Sequence, residues 1–198
     1  MQSANSVRLD SHAVATLRYI RASMDAAASV AVPGSAGIAM GGVGLSAMVL
    51  SSAPSLHEHW LAIWLFSALL GGGVGFALMT RPASLSGLLL SGTPLRKFAL
   101  CLLPALFGGA VMTALHWSSG NLHAIPGTWL LLYGCALISA SVAATRMIAA
   151  MGAAFVALAL LTLLLPDSLQ ILMLGVGFGG LHMLFGFLIG RTGHDRQI

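Results

Sequence analysis

Charge is what this sequence has least of. Nine lysines and arginines and five aspartates and glutamates are spread over 198 residues, 7% of the chain. A soluble domain carries about 25% charged and roughly 45–50% apolar residues, whereas here 58% are hydrophobic and the mean hydropathy is +0.93. So few polar groups cannot cover a globular surface in water, which excludes an ordinary soluble domain and requires lipid as the solvent. Only two cysteines occur, Cys101 and Cys135, both inside apolar segments and without CxxC spacing, so they read as small buried hydrophobes rather than a disulfide framework. P-loop, HExxH and nucleophile-elbow patterns are absent. No Asp, Glu, Lys or Arg falls in the middle of an apolar run, which weighs against a carboxylate proton relay, a retinal Schiff base or a charge-sensing helix. Enzymatic function has little support. The net charge of +4 comes from basic residues scattered at segment ends, so it marks topology and gives no nucleic-acid signal. The first thirty residues lack a cleavable secretory signal, and insertion is expected to begin at a retained first helix.

What is present is a series of apolar runs, each about 20 residues long, the length that crosses a bilayer core of roughly 30 Å. Six spans are expected, at 35–52, 60–80, 97–117, 127–144, 147–165 and 168–190. The fourth and fifth nearly touch, yet about 39 residues in one helix would reach nearly 60 Å, so a turn is required near Thr145 and Arg146. The expected fold is an all-α polytopic bundle with a cytoplasmic N-terminus at 1–32, a transmembrane domain at 33–190 and a short tail at 191–198.

Loop charge sets the orientation. Arg8, Arg18 and Arg21 precede the first span, Arg81, Arg96 and Lys97 separate the second from the third, Arg146 separates the fourth from the fifth, and Arg191 and Arg196 follow the sixth. All nine fall on one side, which the positive-inside rule makes the cytoplasm, with both termini inside. Trp60, Trp64, Trp117 and Trp129 stand at the outer ends of their spans, as an aromatic belt would. Ahead of the first span, Val14, Leu17, Ile20 and Met24 form a stripe at helical spacing with Arg18, Arg21 and Asp25 on another face. That pattern predicts an interfacial amphipathic helix on the inner leaflet, its arginines toward anionic headgroups, or a docking face for a cytoplasmic partner protein. The loop 84–92, SLSGLLLSG, is apolar enough to lie in the interface or re-enter the membrane.

Glycine is abundant, at 24 residues. GGVGLSAM at 41–48 returns as GGVGFALM at 72–79, and GVGF stands at 175–178. Spans one and two run in opposite directions, so these strings sit at different depths and express shared packing chemistry rather than an internal repeat. The pairs Gly37/Gly41, Gly71/Gly75, Gly175/Gly179 and Gly186/Gly190 are each four apart, the spacing that lets helix backbones approach closely in lipid, within one protomer or between protomers of a homo-oligomer.

Two places hold titratable groups. His182 lies deep in the sixth span, where an imidazole needs a partner: a carbonyl or hydroxyl of another helix, a pore, or a metal. At the outer side, SLHEHW places His57, Glu58 and His59 before span two, while His116 and His123 flank the next outer loop. On an extended backbone, histidines two apart point the same way and together suit zinc or copper. Plain interface chemistry is the competing reading, with Glu58 capping the start of span two. No cofactor is otherwise expected.

At RYIRASM (18–24), AVPGSAG (31–37), MGGVG (40–44) and GFGGLHMLFGFLIGR (177–191) the chain resembles a group of uncharacterised six-span bacterial inner-membrane proteins. The resemblance implies a multi-pass protein of the bacterial cytoplasmic membrane and carries no activity with it. With most of its mass in the membrane and no catalytic constellation, the sequence points to a small channel, transporter or transporter subunit acting as a homo-oligomer. The alternative is a membrane scaffold or sensor subunit reading metal or pH at the outer histidines.

Overall fold

Pro33, with φ −71° and ψ 136°, has no N–H to leave unsatisfied and turns the chain into its first long helix. The computed structural model describes residues 16–17, 20, 30, 32–85 and 93–194. Among them all regular structure is helical. The main elements are α1 (Gly34–Ser52), α2 (Trp60–Leu85), α3 (Thr93–Ser118), α4 (Ala124–Ala140), α5 (Arg146–Thr162) and a composite α6. The last runs through Gln170–Leu174, a π-helical stretch Gly175–Leu181 and His182–His194. Five are long and apolar enough to cross a membrane, and α5, at 17 residues, is shorter. The expected amphipathic helix lies outside the described residues, Arg18 and Arg21 included. Only Thr16, Leu17 and Ile20 of that segment are described, and they are helical and exposed. Residues 86–92 of the loop after α2 also lie outside them.

Local chemistry explains the ends. α1 closes with Ser51 and Ser52 folding their hydroxyls back onto the Ala47 and Met48 carbonyls at 2.7 Å each. α3 stops at Gly120, whose φ of +71° an L side chain rarely adopts. There Asn121 N–H donates to the His116 carbonyl at 2.8 Å and Gly120 N–H to that of Trp117 at 3.1 Å, a Schellman closure. Between α4 and α5 the chain turns at Ala144 (φ −142°, ψ −158°) and Thr145, the place its single arginine had marked. Pro104 sits inside α3, tolerable because neighbouring helices in lipid compensate a freed carbonyl.

Three hairpin pairs pack side by side, α1 with α2, α3 with α4 and α4 with α5. α1 is sandwiched between α2 and α6, α4 between α3 and α5, and α6 joins the halves by meeting both α4 and α5. The shared core collects Trp64, Leu130, Leu137, Met151, Phe155 and Leu174. α2 and α3 are outer helices with apolar outward faces: Phe66 is 68% exposed, Leu69 78% and Phe107 72%. Faces of this kind suit lipid, and the helices suit an integral membrane protein. Among the described residues Arg81, Arg96, Lys97, Arg146 and Arg191 lie at one end of the bundle, Glu58 and Asp167 at the other.

The tryptophans require a correction. Trp64 is a core residue, 8% exposed, and donates its indole N–H to the buried Ser51 hydroxyl at 3.2 Å. Trp129 lies across Gly109 and donates to Thr113 at 2.9 Å. Each acceptor hydroxyl in turn donates to a carbonyl four residues back in its own helix. Both hairpins thus use an inward indole to tie two helices, because a buried N–H needs an acceptor. Trp117, 62% exposed, keeps the position of an interfacial aromatic.

Candidate functional site

The site forms where α1 meets α6 almost without side chains between them. A Cβ on Gly37 would lie 2.8 Å from the Gly186 Cα, and one on Gly41 2.8 Å from the Gly179 carbonyl oxygen; Gly34 and Gly44 are held as closely against Gly186 and Phe178. The α6 carbonyls here face glycine Cα–H groups, a weak hydrogen-bonding contact that only glycine permits at this distance. Gly175 and Gly179 receive Met48 and Leu45. A Cβ on Gly190 would meet nothing within 4 Å, so close packing does not require glycine there. The other strings differ in use. Gly71 and Gly75 meet the Val43 and Met40 side chains, while Gly42, Gly72 and Gly73 face open space. Gly134 and Gly152, which carry no GxxxG spacing, make the equivalent contact between α4 and α5: a Cβ on either would come within 2.8 Å of the other's carbonyl oxygen.

This seating fixes the depth and rotation of α6, and with them His182. Its ring is 3% exposed and its Nε2 lies 2.8 Å from the Tyr133 hydroxyl, midway along α4. Aromatic rings enclose the pair. Tyr133 sits 5.0 Å from both Phe155 and Phe178, Phe155 5.5 Å from His182, and Phe178 stacks over His182 at 6.0 Å and 19°. Nδ1 makes no well-formed hydrogen bond, and its nearest acceptors are the Gly177 and Phe178 carbonyls of its own helix.

A proton count follows. A phenol and a neutral imidazole bring two polar hydrogens, and they share one hydrogen bond. If Tyr133 donates to Nε2, the Nδ1 hydrogen is left over; if Nε2–H donates, the phenol hydrogen is. Either way one buried hydrogen makes no well-formed hydrogen bond among the described residues, and a poorly satisfied buried donor costs up to about 1–3 kcal/mol. Buried polar groups without a well-formed bond are uncommon in folded proteins.

The helix is also irregular at this point. Over GVGFGGL the bonding pattern of α6 slips to i→i+5, ending immediately before His182. π-helical stretches are rare and concentrate at functional positions. Four of the seven residues are glycine, which removes the side-chain crowding that would otherwise favour the tighter α register.

The outer histidines do not assemble. His57–His59 forms a 3₁₀ turn, not an extended strand. Residues there advance by about 120° each, so His57 and His59 point apart. His57 instead sets Nδ1 3.2 Å from the Ser51 carbonyl, and His116 sets Nε2 3.4 Å from the Thr128 hydroxyl. His123 is exposed just ahead of α4, and Glu58 is exposed as well. Among the described residues no three histidine, cysteine, aspartate or glutamate side chains converge as a zinc or copper site needs. Tyr133 had a signal in the sequence that was passed over. It is one of two tyrosines, and its hydroxyl stands at membrane depth, where it must find a partner. No family model, curated protein or solved structure matches the chain.

Proposed function

We propose that this is a six-span transport protein of the bacterial cytoplasmic membrane, a channel, transporter or transporter subunit, whose working site is the Tyr133–His182 pair. The carrying observation is the buried imidazole with its orphaned nitrogen, bonded to a phenol beside a π-helical break. A group that needs an acceptor at mid-depth suits passage of a proton or a small hydrogen-bonding solute, and irregular helix at the midplane is where transporters bind cargo. The pair is occluded, with His182 3% exposed and both rings enclosed by Phe155 and Phe178. Transport therefore requires α6 to move.

Six crossings are consistent with α5 as well, since 17 residues are at the short limit for a span. Segregation of the described basic residues to one end favours cytoplasmic termini. The exposed apolar faces of α2 and α3 give a homo-oligomer its contact surfaces. The test is flux in proteoliposomes containing the full chain, with trapped pyranine as the proton reporter and a valinomycin potassium potential as the driving force. Wild type is expected to collapse the gradient faster than protein-free vesicles, and His182→Gln to abolish the difference. Wild-type vesicles no leakier than protein-free ones to protons, ammonium or small neutral solutes would overturn the reading.

A further inference from the structure

We propose that the π-helical segment Gly175–Leu181 is a register switch, exchanging with an α-helical register and so carrying His182 out of its bond to Tyr133. This rests on the reading of that pair as the working site.

A π-helical stretch holds one residue more than an α-helix of the same span. Relaxing that residue into α register turns one flank against the other by about 100° and slides it by about 1.5 Å. His182 is the first residue beyond the segment, so it takes the whole displacement. Its Nε2 cannot stay 2.8 Å from Tyr133 through such a turn. Phe178, inside the segment, would leave the ring cluster with it.

The surroundings are built for two positions. Within the segment only Val176, Phe178 and Leu181 carry side chains, and Val176 is 40% exposed. Gly180 has nothing within 4 Å. The turn must carry Gly186 off Gly34 and Gly37 and Met183 off Gly41, so the second register re-seats His182–His194 as a unit rather than sliding it. The orphaned Nδ1 supplies a reason to move. It makes no well-formed bond in this register, and a turn would offer it an acceptor on another helix or the solute. Interfaces packed this way have discrete arrangements rather than continuous ones.

The test uses the full chain, ¹⁵N-labelled at histidine, in lipid nanodiscs. Two exchanging Nε2 signals from His182, identified by their loss in His182→Gln, are expected, and Tyr133→Phe should shift only the hydrogen-bonded one. Deleting Gly180 removes the extra residue and should leave only the unbonded signal. A single Nε2 signal without exchange in wild type, or a pair untouched by the deletion in folded protein, would overturn the switch. If the deletion variant does not fold, the wild-type spectrum decides alone. Flux without exchange sinks the switch and spares the transport reading; exchange without flux does the reverse.

Discussion

Gly37→Ala places a methyl group where α1 and α6 leave no room. The new Cβ would lie 2.8 Å from the Gly186 Cα, 3.0 Å from the His182 carbonyl oxygen and 3.2 Å from the Gly186 nitrogen. All three are backbone atoms, so no rotamer change relieves the contact. Ordinary contact begins at 3.4 Å, and reaching it moves the whole of α6 by several tenths of an ångström. Overpacking of this kind costs about 1–3 kcal/mol. Replacing glycine in a helix returns up to about 1 kcal/mol, and less in lipid, where separated helices remain helical. The net loss is about 1–2 kcal/mol, which lowers the melting temperature by about 2–8 °C at this chain length. Gly42→Ala, on the same helix with nothing within 4 Å, is the control and is expected to be neutral or up to about 1 kcal/mol stabilising. Thermal melts in detergent followed by tryptophan fluorescence read both, because Trp64 is bonded to Ser51 on α1. Equal melting of the two variants, or Gly37→Ala melting at or above wild type, would refute the assignment of this face as the seat of α6.

Gly152→Ala meets the Gly134 carbonyl oxygen at 2.7 Å and Ile138 N at 2.9 Å, and the same melts should show a loss of about 1–3 kcal/mol, while Gly180→Ala, facing open space, should be tolerated. A double-mutant cycle of Trp64→Phe with Ser51→Ala is expected to give about 1 kcal/mol of coupling, as is Trp129→Phe with Thr113→Ala; additive losses would mean the indole bonds contribute nothing. Protein purified without a histidine tag, exposed to zinc or copper and desalted, should retain no stoichiometric ion by mass spectrometry, and His57→Ala/His59→Ala should leave that result unchanged.

Helices were legible because lipid imposes a length and an apolar content on each segment, and the turn between the fourth and fifth because Arg146 breaks that run. The glycine spacing pointed to close packing without naming the partner of each face. Gly44 and Gly75 occupy matching places in nearly identical strings, yet one meets backbone of α6 and the other the Met40 side chain. Sequence spacing carries no information on which helix comes alongside. The metal reading of SLHEHW assumed an extended backbone, whereas the turn into α2 winds it. The inward rotation of Trp64 depends on a hydroxyl 13 residues away, beyond any local pattern. The Tyr133–His182 bond spans 49 residues, likewise beyond any local pattern.

Proton flux into pyranine-loaded proteoliposomes, compared for wild type, Tyr133→Phe, His182→Gln and the double variant, tests the site most directly. Because the two side chains share one hydrogen bond, they should act as a unit: each single variant is expected to lose most of the flux, and the double variant little more than either. Wild-type flux retained in both single variants, with all four proteins folded, would contradict the account and return the pair to a structural role.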